Sequence, residues 1–498
     1  MLTRKLLIIM DADELFGSDQ YASRISNGHR ILDTCSRDEM RLYDQHTFDK
    51  QAIRLPYQVW IENVIASIRQ STNDTLSTRL LALIKRTRKS LSLYNAKHAG
   101  PAELITEFFF DKIFFNVKEA HFSKQLMHHK IRSLLQQKKP LSLCLPLFSW
   151  KPISPVKNAG YLPDFAEIAS LARCYKVAHI LSEIYPHEVN FNIYADGSKY
   201  RRACFTPHYM VAGYQKGMHY WNQQLGTSHL VNIIDYESAV LNAIGQQKVE
   251  ERTGMYRNRF RELTDKYTEH FDPYNIMDSI EHVRLIDSTG EQIAFTLLAI
   301  LSIVYYKHET LALPLLKRDD TASQFYLFYL QSIAKDIRII TDSQIPPQVD
   351  GDYRTHFSDI MIDMRTQAWF AALKYVATSI TDRRLEMWKK IDPDQVKLTI
   401  HGKAGEIKFI TTNSACMTLT AQHTVGGIRK KEEHIKADFV YRIERESKGE
   451  RPVMLDGMGG ILPPDSPLMQ MHALRQPICY LDQSVSVYEL LHNYLDLD

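Results

Sequence analysis

The residues best equipped for chemistry gather between positions 149 and 167. Lys151 and Lys157 stand among Pro152, Pro155 and Gly160, just ahead of a helix start near Asp164. Two ammonium groups beside the free N–H groups of a helix's first turn make a local anion site suited to a phosphate. The same stretch also reads as a solvated surface loop. Asp164 and Glu167 are spaced so that both carboxylates share one helix face, where they could hold an amine. They fit a capping box equally well, an N-cap acid with its partner at the third helical position, which needs no ligand.

Asp196-Gly197 lies between two strand-like runs and reads first as a hairpin turn, with a functional Asp as the alternative. His401 follows the run VKLTI and His423 ends TLTAQH. Single histidines are commonly structural or exposed, whereas two that end neighbouring strands would suit proton transfer near neutral pH. The sequence carries no HExxH, no CxxC pair and no GxxxxGK[ST], and DGMGGILPP at 456–464 lacks a strand-to-helix context; no metal and no cofactor is expected.

These residues need strands that end where they sit. LSLCLPLF (141–148) predicts a strand, followed by a loop and a helix from Asp164. VNFNIYA (189–195) alternates as a strand does, residues 209–224 are helical, and HLVNIID (229–235) predicts another strand. Strands alternating with helices predict an α/β fold, a Rossmann-like mixed sheet core that binds ligands beyond the carboxyl ends of its strands. The N-terminal and middle regions read as helical: AIRLPYQVWIENVIASIRQ from Ala52, Glu103 to Gln137, and most of 236–390. Residues 1–50 give no clear pattern beyond a strand-like run from Leu6 to Met10. Short strands return at VKLTIHG, EIKFITT and FVYRIER. The expected division is 1–137 largely helical, 138–250 the α/β core with the substrate loop, 251–395 helical, and 396–498 strands completing the site plus a tail.

Composition narrows the partners. The 498 residues are 44% hydrophobic with a formal charge of only +3, so no global basic field points to nucleic acid or a membrane surface. FTLLAILSIVYY (295–306) falls short of the roughly 20 apolar residues that span a bilayer and predicts a buried helix. The six cysteines are scattered without the density of a disulfide scaffold, which points to a reducing cytoplasm. The apolar run at the start is too short for a secretory leader.

PLFSWKPISPVKNAGYLPDFAE (146–167) resembles the stretch FPxKSxNxxKVxGxxPDxxE of the pyoverdine/dityrosine biosynthesis family, which includes isonitrile synthases and fungal dityrosine-pathway enzymes. Phe148, Lys151, Lys157, Gly160, Pro163, Asp164 and Glu167 fall on that motif without gaps. Further landmarks follow in order. ILSEIY is similar to LCxxIxxIY, and FNIYADGSKY to a strand followed by SDGxVF, which brings in Asp196. VKLTIHG is similar to IRLSIHP, giving Lys397 and His401, and TLTAQH falls where the family has TPWH, giving His423. Ser149 replaces a motif proline, and Ala421-Gln422 replace the Pro-Trp pair next to His423. The resemblance covers about 142–238 and 396–429.

The resemblance implies a lyase-type isonitrile synthase that condenses the amine of an aromatic amino acid, tyrosine or tryptophan, with ribulose 5-phosphate, without metal or redox cofactor and with a downstream oxygenase in its pathway. Lys151 and Lys157 would bind phosphate or carboxylate, with Lys151 also an acid/base group if desolvation lowers its pKa. Asp164 and Glu167 would orient or deprotonate the amine, Asp196 would bind sugar hydroxyls, and His401 and His423 would move protons; Gly160 and Lys397 are expected at the substrate. Two alternatives remain open: an N-formyl-type modification of the amino acid, and a binding module that keeps the fold without catalysis.

Overall fold

The computed structural model describes residues 52–72, 82, 85, 89, 100–109, 120–151, 158, 160, 162–201, 203–204, 208–297, 300–301, 351–399, 407–408, 424–431, 434–440, 445, 448–457, 476–493 and 495–496. They cluster into two compact units. An α/β unit takes in 51–198, 208–239 and 392–498, and a helical unit takes in 199–207 and 240–391.

The α/β unit opens with β1 (Ile53–Pro56), α1 (Pro101–Phe108) and α2 (Ala120–Gln136). There follow β2 (Leu141–Pro146), α3 (Phe165–Ser182), β3 (Val189–Ala195), the one-turn α4 (Gly197–Tyr200), α5 (His208–Gln224) and β4 (Val231–Asp235). The later strands are β5 (Val396–Thr399), β6 (Ile407–Lys408), β7 (Val425–Lys431), β8 (His434–Val440), β9 (Arg451–Asp456), β10 (Cys479–Leu481) and β11 (Leu495–Asp496).

Two sheets result. One is wholly parallel, in the order β4-β3-β2-β5-β6. Its central strand β2 is a near-continuous buried run, as expected of a parallel strand covered on both faces. The second is mixed, in the order β1-β9-β10-β7-β8-β11. Ile53–Pro56, read as the start of a helix, is instead the edge strand of this second sheet, paired parallel with Val453–Asp456. Its proline stands at the last strand position, where a missing N–H costs an edge little and the next residue starts a helix.

Helix α3 touches β3 and β4 of the parallel sheet and β7 and β8 of the mixed one. Held between two sheets, it is buried on nearly every side from Phe165 to Ala172, which explains why its sequence lacks a polar stripe. Asp164 and Glu167 sit in its first turn, so the fold carries them between the sheets.

The helical unit includes α6 (Tyr236–Ile244, which begins in the α/β unit), α7 (Gln246–Tyr267), α8 (Ile276–Ile286) and α9 (Gly351–Arg384). Its core includes Phe271 stacked on Trp369 with ring centroids 4.6 Å apart. One buried carboxylate ties three elements together. Asp382 of α9 accepts from Arg252 Nε at 2.7 Å and Nη2 at 2.8 Å, from Tyr256 OH at 2.5 Å, and pairs at 2.6 Å with Lys199, the first residue of this unit's 199–207 segment. The helix expected at 295–306 is only partly buried where described: Leu297, Ile300 and Leu301 are covered but Phe295 is 60% exposed. No helix among the described residues is long and apolar enough to cross a membrane. Cys144, Cys174, Cys204 and Cys479 are buried cysteines.

Candidate active site

Beyond β2 the chain turns through Phe148, whose φ of 59° lies in the left-handed region. For a residue with a Cβ this costs on the order of 1 kcal/mol, and the ring is fully buried. The turn is followed by Ser149 and Lys151. Lys151 has 0% exposure, an unusual place for an ammonium. It is paired twice: its Nζ donates to Asp164 Oδ2 at 2.5 Å and to Glu167 Oε2 at 2.9 Å.

The two acids form the capping box that their spacing allowed. Asp164 Oδ1 accepts from the Ala166 N–H at 2.8 Å, and Glu167 Oε2 accepts from the Asp164 N–H at 2.8 Å. The cap and the buried charge cluster are therefore one structure. Two more donors complete it. Tyr214 of α5, fully buried, donates its hydroxyl to Glu167 Oε1 at 3.0 Å, and the Gly426 N–H of β7 donates to Asp164 Oδ1 at 3.2 Å.

Burial and charge act in opposite directions on these groups. Burial pulls Lys151 down, but Asp164 and Glu167 beside it outweigh that and hold it above its ordinary value. The sequence had left room for a desolvated Lys151 of lowered pKa; the structure reverses that shift, because two carboxylates face the ammonium. Glu167 is pushed up to about 7, by burial first and by Asp164, against the lowering effect of Lys151. Burial, with Glu167 next to it, lifts the Tyr214 hydroxyl well above its usual range. Within this cluster Glu167 is the carboxyl that burial moves toward neutral pH, while the two carboxylates hold Lys151 in its charged form. An acid poised in this way, water-excluded and within reach of an ammonium, can exchange a proton with a buried amine.

The other expected site residues are placed differently. Gly160 leaves room for Gln476: a Cβ there would lie 2.1 Å from Gln476 Oε1, whose amide bonds the Leu162 N–H at 3.0 Å and the Leu162 carbonyl at 2.7 Å. Its visible part is in fixing the loop ahead of α3. Asp196 follows β3 at the carboxyl edge of the parallel sheet and accepts the Ser149 hydroxyl. The hairpin expected at Asp196-Gly197 does not form. β3 runs parallel to both neighbours, and Gly197 opens a helical turn. Gly197 has no positive φ; it is needed because a Cβ would lie 2.1 Å from the Ser149 carbonyl oxygen. Lys397 is exposed on β5, in register with Cys144. Lys157, His401 and His423 lie outside the described residues.

Tyr214 and Gly426 escaped the sequence reading because nothing local marks them; their contacts cross 47 and 262 positions. Asp235, at the end of β4, was missed too. It accepts from the Ser198 hydroxyl and from the Ser238 N–H at 2.8 Å, the latter as the cap of α6. Among the described residues no group of three or more His, Cys, Asp or Glu is arranged to hold a metal ion.

Residues 131–286, which hold β2, β3, β4 and the side chains of Lys151, Asp164, Glu167 and Tyr214, match the family model described as pyoverdine/dityrosine biosynthesis protein. The likeness to that family is carried by this segment, which is under a third of the chain. An L-tyrosine isonitrile synthase of Xenorhabdus nematophila is 25% identical over 176 residues, 35% of this chain and 48% of the relative, so the chain matches about half the length of that curated protein. The crystal structure of the PvcA protein from Pseudomonas aeruginosa aligns over 77% of this chain and 99% of its own, with 16% identity and a TM-score of 0.46.

Proposed function

We propose that this chain is an isonitrile synthase-like enzyme that joins the amine of an aromatic amino acid, tyrosine or tryptophan, to ribulose 5-phosphate. The observation that carries the reading is the buried Lys151–Asp164–Glu167–Tyr214 cluster, with Glu167 titrating at about 7. An amino acid arrives as an ammonium and must lose a proton before its nitrogen can attack a ketone carbon. Glu167 in its charged form takes that proton, with Asp164 holding the cation and Tyr214 keeping the Glu167 carboxyl in place. Lys151, charged throughout, stabilises the oxyanion that grows as nitrogen adds to the carbonyl. The L-tyrosine isonitrile synthase activity of the Xenorhabdus relative and the matched family segment support the same choice.

In this reading the reaction is of the lyase type and needs no metal. Lys157 and Lys397 bind the sugar phosphate, Asp196 its hydroxyls, and His401 and His423 carry protons in the later dehydration and carbon–carbon cleavage. The product passes to an oxygenase in the same cytoplasmic pathway.

Purified protein incubated with ribulose 5-phosphate and either L-tyrosine or L-tryptophan, followed by tetrazine trapping and mass spectrometry, tests this. An isonitrile adduct with one of the two amino acids is expected, together with a raised KM for ribulose 5-phosphate in Lys157→Ala. Absence of any adduct while the sugar phosphate still binds would refute the isonitrile product.

A further inference from the structure

Strand β7 carries two adjacent glycines, Gly426 and Gly427, whose missing side chains would point to opposite faces of the sheet. On one face a Cβ at Gly426 would lie 2.5 Å from the Ala166 nitrogen, 2.7 Å from Phe165 Cβ and 2.8 Å from the Phe165 carbonyl carbon. Two of these are main-chain atoms in the first turn of α3, which no rotamer change can move. On the other face a Cβ at Gly427 would lie 2.0 Å from Nη1 of Arg445, a buried guanidinium that donates to Glu450 Oε2 at 2.7 Å and to the Asp438 carbonyl at 2.6 Å. Neither glycine has a positive φ, so the backbone at both would admit alanine. What requires glycine is contact.

The contact at Gly426 falls on the catalytic helix. Its N–H bonds Asp164, and from beside β10 the Ile478 carbonyl accepts the Phe165 N–H at 2.8 Å. Asp164 and Glu167 travel with α3, whereas Lys151 is carried by the chain leaving β2 of the other sheet. How deeply α3 settles on β7 therefore fixes how far the carboxylates stand from the ammonium. We propose that Gly426 is a positioning residue, whose bare Cα seats the first turn of α3 against β7 and so sets the Lys151–Asp164–Glu167 spacing. The proposal rests on the functional reading above, in which that cluster works on a substrate amine.

The pH dependence of kcat/KM separates this from a merely structural glycine. Glu167 is faced by Lys151, by Asp164, by Tyr214 of α5 and, on the Asp164 side, by Cys479 of β10. Lifting α3 off β7 in Gly426→Ala withdraws Glu167 from the Lys151 ammonium that holds its pKa down. The midpoint near 7 should rise by about one unit, with about a fivefold loss of kcat/KM at neutral pH. Gly427→Ala meets Arg445 instead; it should lower the melting temperature and leave the midpoint in place. A Gly426→Ala profile that superimposes on the wild type overturns the proposal, as does an equal shift in Gly427→Ala. If Gly426→Ala does not fold, amide exchange decides. In Asp164→Ala the Gly426 amide should exchange about tenfold faster while Ile428 and Arg429 keep their protection, and unchanged Gly426 protection overturns the seat. A wild type that makes no product defeats the functional reading alone, and the exchange measurement still tests the seat.

Discussion

At the scale of single residues, Glu167 sets proton exchange against stability. Its carboxyl titrates at about 7 in the fold against an ordinary 4.5, so the folded state binds its proton more tightly than the unfolded chain does. That contribution to stability is complete below about pH 4.5 and is lost as pH rises through about 7. Glu167→Gln cannot titrate. Thermal melts of the two proteins from about pH 5 to about pH 8 should show the wild type losing ground to the variant, and a pH-independent difference would count against a raised Glu167. Lys151 behaves oppositely on removal: Lys151→Ala leaves two carboxylates buried without their cation and should cost about 3–5 kcal/mol in denaturant unfolding. Of the cluster, the sequence disclosed the charged members, since Asp164 and Glu167 obey a local spacing rule and Lys151 stands in the adjoining loop. It could not disclose Tyr214, a tyrosine in an ordinary helical stretch whose partner is chosen only when α5 packs on α3.

At the scale of elements, the carboxyl edge of the parallel sheet depends on close backbone approach. Gly197 passes so near the Ser149 carbonyl that one added carbon would collide with main chain, and also with Val211 Cγ1 at 2.8 Å. Gly197→Ala should destabilise by about 1–3 kcal/mol, the usual cost of overpacking, and should displace the Ser149–Asp196 pair. A crystal structure of the variant would reveal whether that pair survives. The strands β2, β3 and β4 and helices α3 and α5 were legible because apolar runs, alternation and the cap are local signals. The pairing of Ile53–Pro56 with a strand 400 positions later in the chain left no such mark, and a run of apolar residues before a helix was absorbed into the helix. The Asp196-Gly197 hairpin failed for a related reason: the dipeptide reports a tight bend, but not whether the chain returns alongside its own strand or enters a helical crossover.

At the scale of the whole molecule, each unit has its own charge network as well as its own core. In the helical unit, burial raises the Asp382 carboxyl, but Lys199 and Arg252 overcome that and hold it well below its usual value of 3.8. A depressed folded pKa means that this stability is present above about 3.8 and is lost as pH falls below it. Asp382→Asn should therefore cost about 3–5 kcal/mol near neutral pH and a smaller amount in strong acid. Hydrogen exchange should report the loss first in α7 and the later half of α9, which the carboxylate joins. None of this was visible in the sequence, where Lys199, Arg252, Tyr256 and Asp382 are dispersed over nearly two hundred positions.

The buried thiols have a practical consequence. Burial pushes Cys174 up to about 12 and lifts Cys144 and Cys479 well above the ordinary thiol value, so none offers a thiolate to reagent while the fold is closed. Three of them, Cys144, Cys174 and Cys479, belong to the α/β unit, and Cys204 belongs to the helical one. An alkylating reagent applied under native conditions becomes a clock with separate hands. Adducts located by peptide mass time the opening of each unit independently, and the adduct at Cys479 times the moment the floor beneath Asp164 comes away.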